Sequence, residues 1–200
     1  MSKYPPSLSK IILTLKQLPG IGFKMAERLA FDLLSWPKEK LQNITTVLES
    51  IPDHFDNCFD CGMLIEKKTD CSYCNSQTRD SSVMCIVAYP RDVFSIESSG
   101  TFKGIYYVLG SLFSPASGKK PIPGRIIKLR EKISTIKTKE IVIAMDFTLE
   151  GDTTALYLKK ELGDLGINIT RLATGLPMGL SLDYIDSRTL AKAFSGRNVY

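Results

Sequence analysis

Four cysteines are the residues best placed to do chemistry. Cys58-x-x-Cys61 and Cys71-x-x-Cys74 form two pairs with nine residues between them. Two intervening residues let both sulfurs of a pair turn toward one ion. Two such knuckles complete the tetrahedral four-thiolate shell that structural Zn²⁺ prefers. Gly62 follows the first pair, where a knuckle favours a positive φ. A redox dithiol is the other use of Cys-x-x-Cys, but it wants one such motif opening a helix after a strand. A shell closed by four sulfurs leaves no open coordination position, so the expectation is one structural zinc per chain and no catalysis at it. Cys85, alone in the apolar run Met84 to Val87, reads as a small buried hydrophobe.

A second candidate is Leu18-Pro19-Gly20-Ile21-Gly22. Gly20 and Gly22 allow a tight turn whose N–H groups face outward at the start of a helix, an arrangement that attracts anions. Lys24 and Arg28 follow at i, i+4 spacing, so one helix face can present both to flanking phosphates. This is the helix-hairpin-helix pattern of sequence-independent DNA binding. A plain Pro-Gly turn explains the same residues, because Glu27 and Asp32 offset the local charge.

A third is acidic. Asp146 follows an apolar run, and Glu150 and Asp152 open the next helical stretch. Carboxylates at the carboxyl ends of parallel strands could hold Mg²⁺. Metal-assisted phosphoryl chemistry wants another carboxylate on a neighbouring strand, and there the chain has Ala88-Tyr89. Asp92 and Glu97 are poorer candidates, and Glu150 and Asp152 also suit a helix N-terminus as ordinary first-turn acids. The single histidine, His54, leaves little for a Ser-His-Asp or Cys-His arrangement. Residues 110–119 have the wrong spacing for a nucleotide P-loop. No residue is assigned a catalytic role.

The elements that must position these groups fall into three regions. Residues 7 to 54 read as helices: one capped by Ser7, one from about Phe23 to Ser35, and one from about Pro37 to Ile51. Residues 55 to 80 hold the four paired cysteines and too little apolar pattern for a core of their own. Beyond them, apolar runs at 84–89, 105–109, 141–145 and 168–173 alternate with helical stretches near 91–99, 122–137, 150–166 and 187–195. That alternation predicts an α/β layer with a mostly parallel sheet.

Composition is ordinary for a globular chain, at 44% apolar and 24% charged. No segment reaches the apolar length that crosses a bilayer, and Met1 to Lys10 lacks the apolar stretch of a secretory signal, so the expected location is the cytoplasm. The net charge of +5 suits a polyanionic partner without requiring one. Between Lys119 and Lys139, eight Lys and Arg stand against one acid, Glu131. This run reads either as a DNA-facing patch or as a solvated helix face.

Taken together and in this order, the motifs resemble the RecR family of bacterial recombination mediators over essentially the whole chain. The resemblance rests on the hairpin with Lys24, Arg28, Leu29 and Ala30, on the four cysteines, and on Arg79-Asp80 leading into Cys85. It continues through Gly104-Ile105-Tyr106, Val108-Leu109-Gly110 and Ser114-Pro115 to Glu150-Gly151 with Thr154-Ala155. Thr170-Arg171, Gly175-x-Pro177-x-Gly179, Leu182, Tyr184, Asp186, Thr189-Leu190 and Arg197 complete it.

The resemblance implies a helix-hairpin-helix domain (1–54), a Cys₄ zinc finger (55–80), a Toprim α/β domain (81–178) and a C-terminal tail (179–200). It implies a non-enzymatic, nucleoid-associated role in gap repair. Its members bind single-stranded and duplex DNA, assemble as a homo-oligomer (a dimer or tetramer) and work with RecO and RecF. Through them they act on RecA recombinase and single-strand-binding protein. The family usually has Glu, the Toprim general acid/base, where Ala88 stands, and often His and Gly where Tyr107 and Ser111 stand. The contrasting expectation, a metal-dependent Toprim enzyme acting on nucleic acid, is weakened at Ala88.

Overall fold

In a computed structural model of the chain, the first helix, α1 (Pro6–Leu15), starts directly after Pro5. Pro6 occupies the first turn, where a missing N–H costs nothing. Ser7 therefore lies inside the helix and does not cap it, contrary to the reading of the sequence. The structure describes residues 3–75, 77–114, 118, 123–173, 175–176 and 179–197. Pro115, Lys119, Lys120 and Pro177, which belong to the motifs and the basic run above, lie outside the described residues, as does position 122 at the head of the expected 122–137 helix.

Two units are distinguished, Met1–Phe55 and Asp56–Tyr200. In the first, α1 packs on α2 (Phe23–Leu34) through a small core of Leu8, Ile12, Ala26 and Ala30. Ala26 and Ala30 share a helix face, and their small side chains let the two helices approach closely. The link between the helices turns at Gly20, whose φ of +82° is left-handed and favours glycine. The third helix, α3 (Lys38–His54), runs past Ile51 and through Pro52, and none of its described residues is buried. Leu41, Ile44, Val47, Leu48 and Ile51 leave an apolar stripe on it exposed.

The second unit opens with β1 (Phe55–Asn57) and β2 (Leu64–Glu66), a two-stranded ribbon around the first cysteine pair. Then come β3 (Asp80–Val87), α4 (Pro90–Glu97), β4 (Gly104–Val108), α5 (Pro123–Ile136), β5 (Glu140–Ala144), α6 (Leu149–Leu162), β6 (Asn168–Arg171) and α7 (Ser187–Ser195). The strands β3 to β6 form one parallel sheet in the order β4-β3-β5-β6. The β-branched run Ile141-Val142-Ile143 pairs with Met84-Cys85-Ile86. All of β4 is buried, as expected for a strand covered on both faces. The core draws Val93 from α4, Ile126, Leu129 and Ile133 from α5, and Leu158 and Leu162 from α6. Cys85 is buried within it, and burial pushes its thiol up to about 12.

The chain leaves β3 toward β4 and then crosses back to place β5 on the other side. The sheet therefore has its switch point at the carboxyl ends of β3 and β5, the place where such sheets bind ligands. Ala88 and Asp146 follow those two ends.

Candidate functional site

Cys58 and Cys61 come from the turn after β1, and Cys71 and Cys74 from the loop before β3. The turn at Cys58 closes because Gly62 donates its N–H to the Cys58 carbonyl (2.8 Å) and Cys58 donates to Met63 (2.7 Å). Gly62 takes a φ of +76° there. The four sulfurs lie within 4.8 Å of one another, with Cys58–Cys74 at 3.8 Å and Cys61–Cys71 at 3.6 Å. A tetrahedral shell with Zn–S bonds of about 2.3 Å has edges of about 3.8 Å, so the cage has the size of a zinc site. Among the described residues this is the one group of three or more candidate ligands that converges.

Thiols at these distances do not ionise independently. Cys61 is held far above its ordinary value, chiefly because its thiol hydrogen-bonds to Cys71. Cys71 is correspondingly lowered to about 2 by accepting from Cys61. Metal binding must displace such protons, which ties occupancy of this cage to pH.

Both knuckles are fastened to the edge of the sheet. The Val108 N–H donates to the carbonyl oxygen of Cys61 (2.7 Å), and the Tyr106 N–H donates to that of Tyr73 (2.9 Å). The outer N–H groups of edge strand β4 thus end on the cysteine loops. Arg125, on α5, donates through one guanidinium nitrogen to the carbonyls of Cys61 (2.8 Å) and Val108. Its backbone carbonyl accepts from the buried Tyr107 hydroxyl (2.6 Å), and its guanidinium lies 4.7 Å from that ring. On the other knuckle Arg79 donates to Ser72 O (2.9 Å) and Gly104 O (2.9 Å), and pairs with Glu97 at 2.5 Å. The Tyr106 hydroxyl also donates to Glu97 (2.6 Å).

These two arginine locks were not anticipated from sequence, although Arg79 and Tyr106 stood in the recognised motifs. Nor did the basic run behave as a unit. Within it, Arg125 supports the first cysteine loop, Arg130 pairs with Asp164 (2.6 Å), and Lys128 lies 3.5 Å from the exposed Phe59 ring.

In the first unit, Gly20, Gly22, Lys24 and Arg28 are all exposed. Gly22 is the residue before α2, and its carbonyl accepts from Ala26 (2.9 Å). Glu27, which could have offset the charge, is engaged by the Tyr4 hydroxyl and by Lys3 at 3.6 Å. Among the described residues, Lys24 and Arg28 make no ion pair, with Asp32 one turn beyond Arg28 paired with neither, so one helix face carries two exposed, unpaired cations beside the glycine turn.

At the carboxyl edge of the sheet, Asp146 is exposed and Glu150 is half-buried, whereas Asp152 is bound to Arg171 at 2.6 Å. Gly151 is needed here, since a Cβ would run into the Asp146 carbonyl. Across the switch point Ala88 is buried and apolar. Asp92 is spent on the Tyr89 N–H (2.8 Å) and Glu97 on Arg79, so neither serves this edge. His54 ends α3, exposed, with Nδ1 2.8 Å from the Ser50 carbonyl oxygen.

Comparison with known proteins decides the family. Recombination protein RecR of Chlamydia pneumoniae is 51% identical over 201 residues, covering 100% of both chains. The chain belongs to the RecR family of recombination proteins. RecR proteins of Chlamydia abortus and Chlamydia caviae are each 50% identical over the same full length. Models of the RecR helix-hairpin-helix and the RecR C-terminal region match residues 8–51 and 175–198, and a Toprim domain model matches 82–173. For a RecR chain, then, α1 and α2 are the helix-hairpin-helix and the parallel sheet is the Toprim layer. The four cysteines between them form a cage able to hold a metal ion.

Proposed function

We propose that this RecR-family chain is a DNA-binding mediator of recombinational repair that acts by binding rather than catalysis. It would help RecO and RecF to load RecA recombinase onto single-stranded gaps covered by single-strand-binding protein, in the cytoplasm at the nucleoid. The observation that carries the reading is the pair of exposed cations Lys24 and Arg28, neither held in an ion pair among the described residues, beside the Gly20–Gly22 turn. A glycine turn and two cations contact phosphates without reading bases. Residues 1–54 would serve as the DNA-binding part, 55–80 as the zinc finger, 81–178 as the Toprim domain and 179–200 as the tail. Cys58, Cys61, Cys71 and Cys74 would hold one Zn²⁺, which supplies structure only, because four thiolates close its shell.

Three further observations support the reading. Ala88 puts a buried methyl group where phosphoryl chemistry needs a carboxylate, and Asp152 is committed to Arg171. Asp146 and Glu150 are left as an acidic surface suited to docking a partner protein. The apolar stripe on α3 suits a homo-oligomer, since exposed patches of this kind mark interaction surfaces. A monomer seen by static light scattering at micromolar concentration would end the oligomer reading.

The decisive experiment titrates labelled single-stranded and duplex DNA at several salt concentrations against the wild type and Lys24→Ala/Arg28→Ala. The log–log salt slope should fall by up to about 0.9 per lost contact on duplex and about 0.7 on single strands. An unchanged slope and affinity would remove the hairpin as the DNA site. DNA cleavage with Mg²⁺ or Mn²⁺ that disappears in Glu150→Ala would replace the mediator with a Toprim enzyme.

A further inference from the structure

The tip of the sheet beside β5 and β6 carries a basic feature far from the hairpin in sequence. Phe147, just past β5, is 41% exposed. Its ring holds two cations close by, the Arg171 guanidinium at 4.8 Å and the Lys192 ammonium at 5.5 Å. Arg188 stands one turn before Lys192 on α7, so the two share a helix face. Phe147, Arg188, Thr189 and Lys192 line a cleft of about 360 Å³ that also reaches Gly175. A second cleft of about 390 Å³ shares Phe147 and Lys192 and adds Asp152, Arg171 and Leu172. The two depressions meet at the Phe147–Lys192 stack and form an open groove.

The charges in this groove do not cancel. Asp152 is the one carboxylate among the described lining residues, and it is bound to Arg171 at 2.6 Å. Asp186, the nearest acid on the approach to α7, caps that helix by accepting from the N–H groups of Arg188 and Thr189 (3.0 Å each) and from the Thr189 hydroxyl (2.6 Å). Arg188 and Lys192 are left with no anionic partner among the described residues. Arg171 also keeps a buried Nε with no acceptor there. A guanidinium fork beside an ammonium is suited to phosphate oxygens. A compact ion would fill one depression, whereas a chain of phosphodiesters fills both.

We propose that this groove, built on Phe147 and lined by Arg171, Arg188 and Lys192, is a second phosphodiester site that holds single-stranded DNA on the α/β unit. The choice of DNA as the polyanion rests on the function proposed above, but the charge and shape of the groove do not.

The test uses the full-length protein and two measurements. In the first, hydrogen exchange of residues 187–196 is followed with an oligothymidylate, with dTMP, and with a Glu-rich peptide. The oligonucleotide should protect the segment, and dTMP and the peptide at equal concentration should not. Equal protection by dTMP would make this a mononucleotide site, and protection by the peptide a protein-docking site. Either result overturns the proposal, as does an absence of protection.

In the second, salt titrations compare the wild type, Arg188→Gln/Lys192→Gln and Lys24→Ala/Arg28→Ala. The groove variant should lower the single-strand slope by up to about 1.4, two contacts at about 0.7 each. A slope lost only in the hairpin variant leaves the DNA reading standing and removes the groove. If the wild type fails to bind at low salt, the DNA reading falls and the proposed ligand with it. If the groove variant loses helix content, the exchange measurement on the wild type decides.

Discussion

The backbone N–H of Val108 donates to the carbonyl oxygen of Cys61 across 2.7 Å, so the edge strand of the sheet is closed by the first cysteine loop. Tyr106 and Tyr73 repeat the contact two residues earlier on the strand, at 2.9 Å. An uncovered edge strand is a template for pairing with another chain. The cysteine cage therefore guards a sheet edge as well as organising its own loops.

Removing the metal should open that edge. With a strong chelator, or in Cys58→Ser, the amides of Tyr106 and Val108 should lose protection and light scattering should show association. Elemental analysis should find about one zinc per chain beforehand, because folding and metal binding are coupled in such small sites. Full protection at Tyr106 and Val108 after complete metal loss would show that the loops hold the edge unaided.

Arg125 should matter to metal retention although it is not a ligand. Arg125→Ala removes a charged donor from the carbonyls of Cys61 and Val108, a loss of about 2 kcal/mol. Arg125→Lys should recover little of it, since the shorter side chain must place its ammonium between the two carbonyls and gives up the guanidinium's packing on the Tyr107 ring. Urea denaturation and the rate of zinc transfer to a chromophoric chelator would measure both. A variant with wild-type values in each would refute the lock.

Gly62→Ala combines two faults in one methyl group. The φ of +76° costs a non-glycine residue about 1–2 kcal/mol, and the new Cβ would run into the Arg125 guanidinium. The expected result is weaker metal binding together with lower stability. Gly20→Ala, left-handed but in open space, should lower stability without touching the metal.

The Arg79–Glu97 pair should make the protein sensitive to acid. The bond from Arg79 holds the Glu97 carboxyl below its ordinary 4.5, and the Tyr106 hydroxyl adds to this. A depressed carboxylate contributes stability that is present above its unfolded value and is lost as pH falls through the folded one. Wild type and Glu97→Gln should therefore differ in Tm near neutrality and converge well below pH 4.5. A Tm difference that persists undiminished in acid would exclude the ion pair as its source.

Much of this was legible in the amino-acid order because it depends on neighbours along the chain. The spacing of Cys58, Cys61, Cys71 and Cys74, the Gly20 turn and the buried β-branched run at Ile141 to Ile143 each follow from short-range geometry. Element ends were less legible. Proline at position 6 starts α1 before Ser7 can cap it, and β3 begins at Asp80, ahead of its apolar run.

The sequence by itself determined the family, the order of hairpin, cysteine cage and parallel sheet, and the apolar residue at the switch point. Only the tertiary structure decided which charges are free. Arg125 and Arg130 looked like members of one basic patch, yet they bond to groups 64 and 34 positions away in the chain. Lys24 and Arg28 looked offset by Glu27 and Asp32, yet Lys3 and Tyr4 take the Glu27 carboxylate, and Asp32 pairs with neither cation. Periodicity and turn chemistry act over a few residues, so they can be read along the chain. The partner of a long charged side chain is chosen among groups that only folding brings within reach.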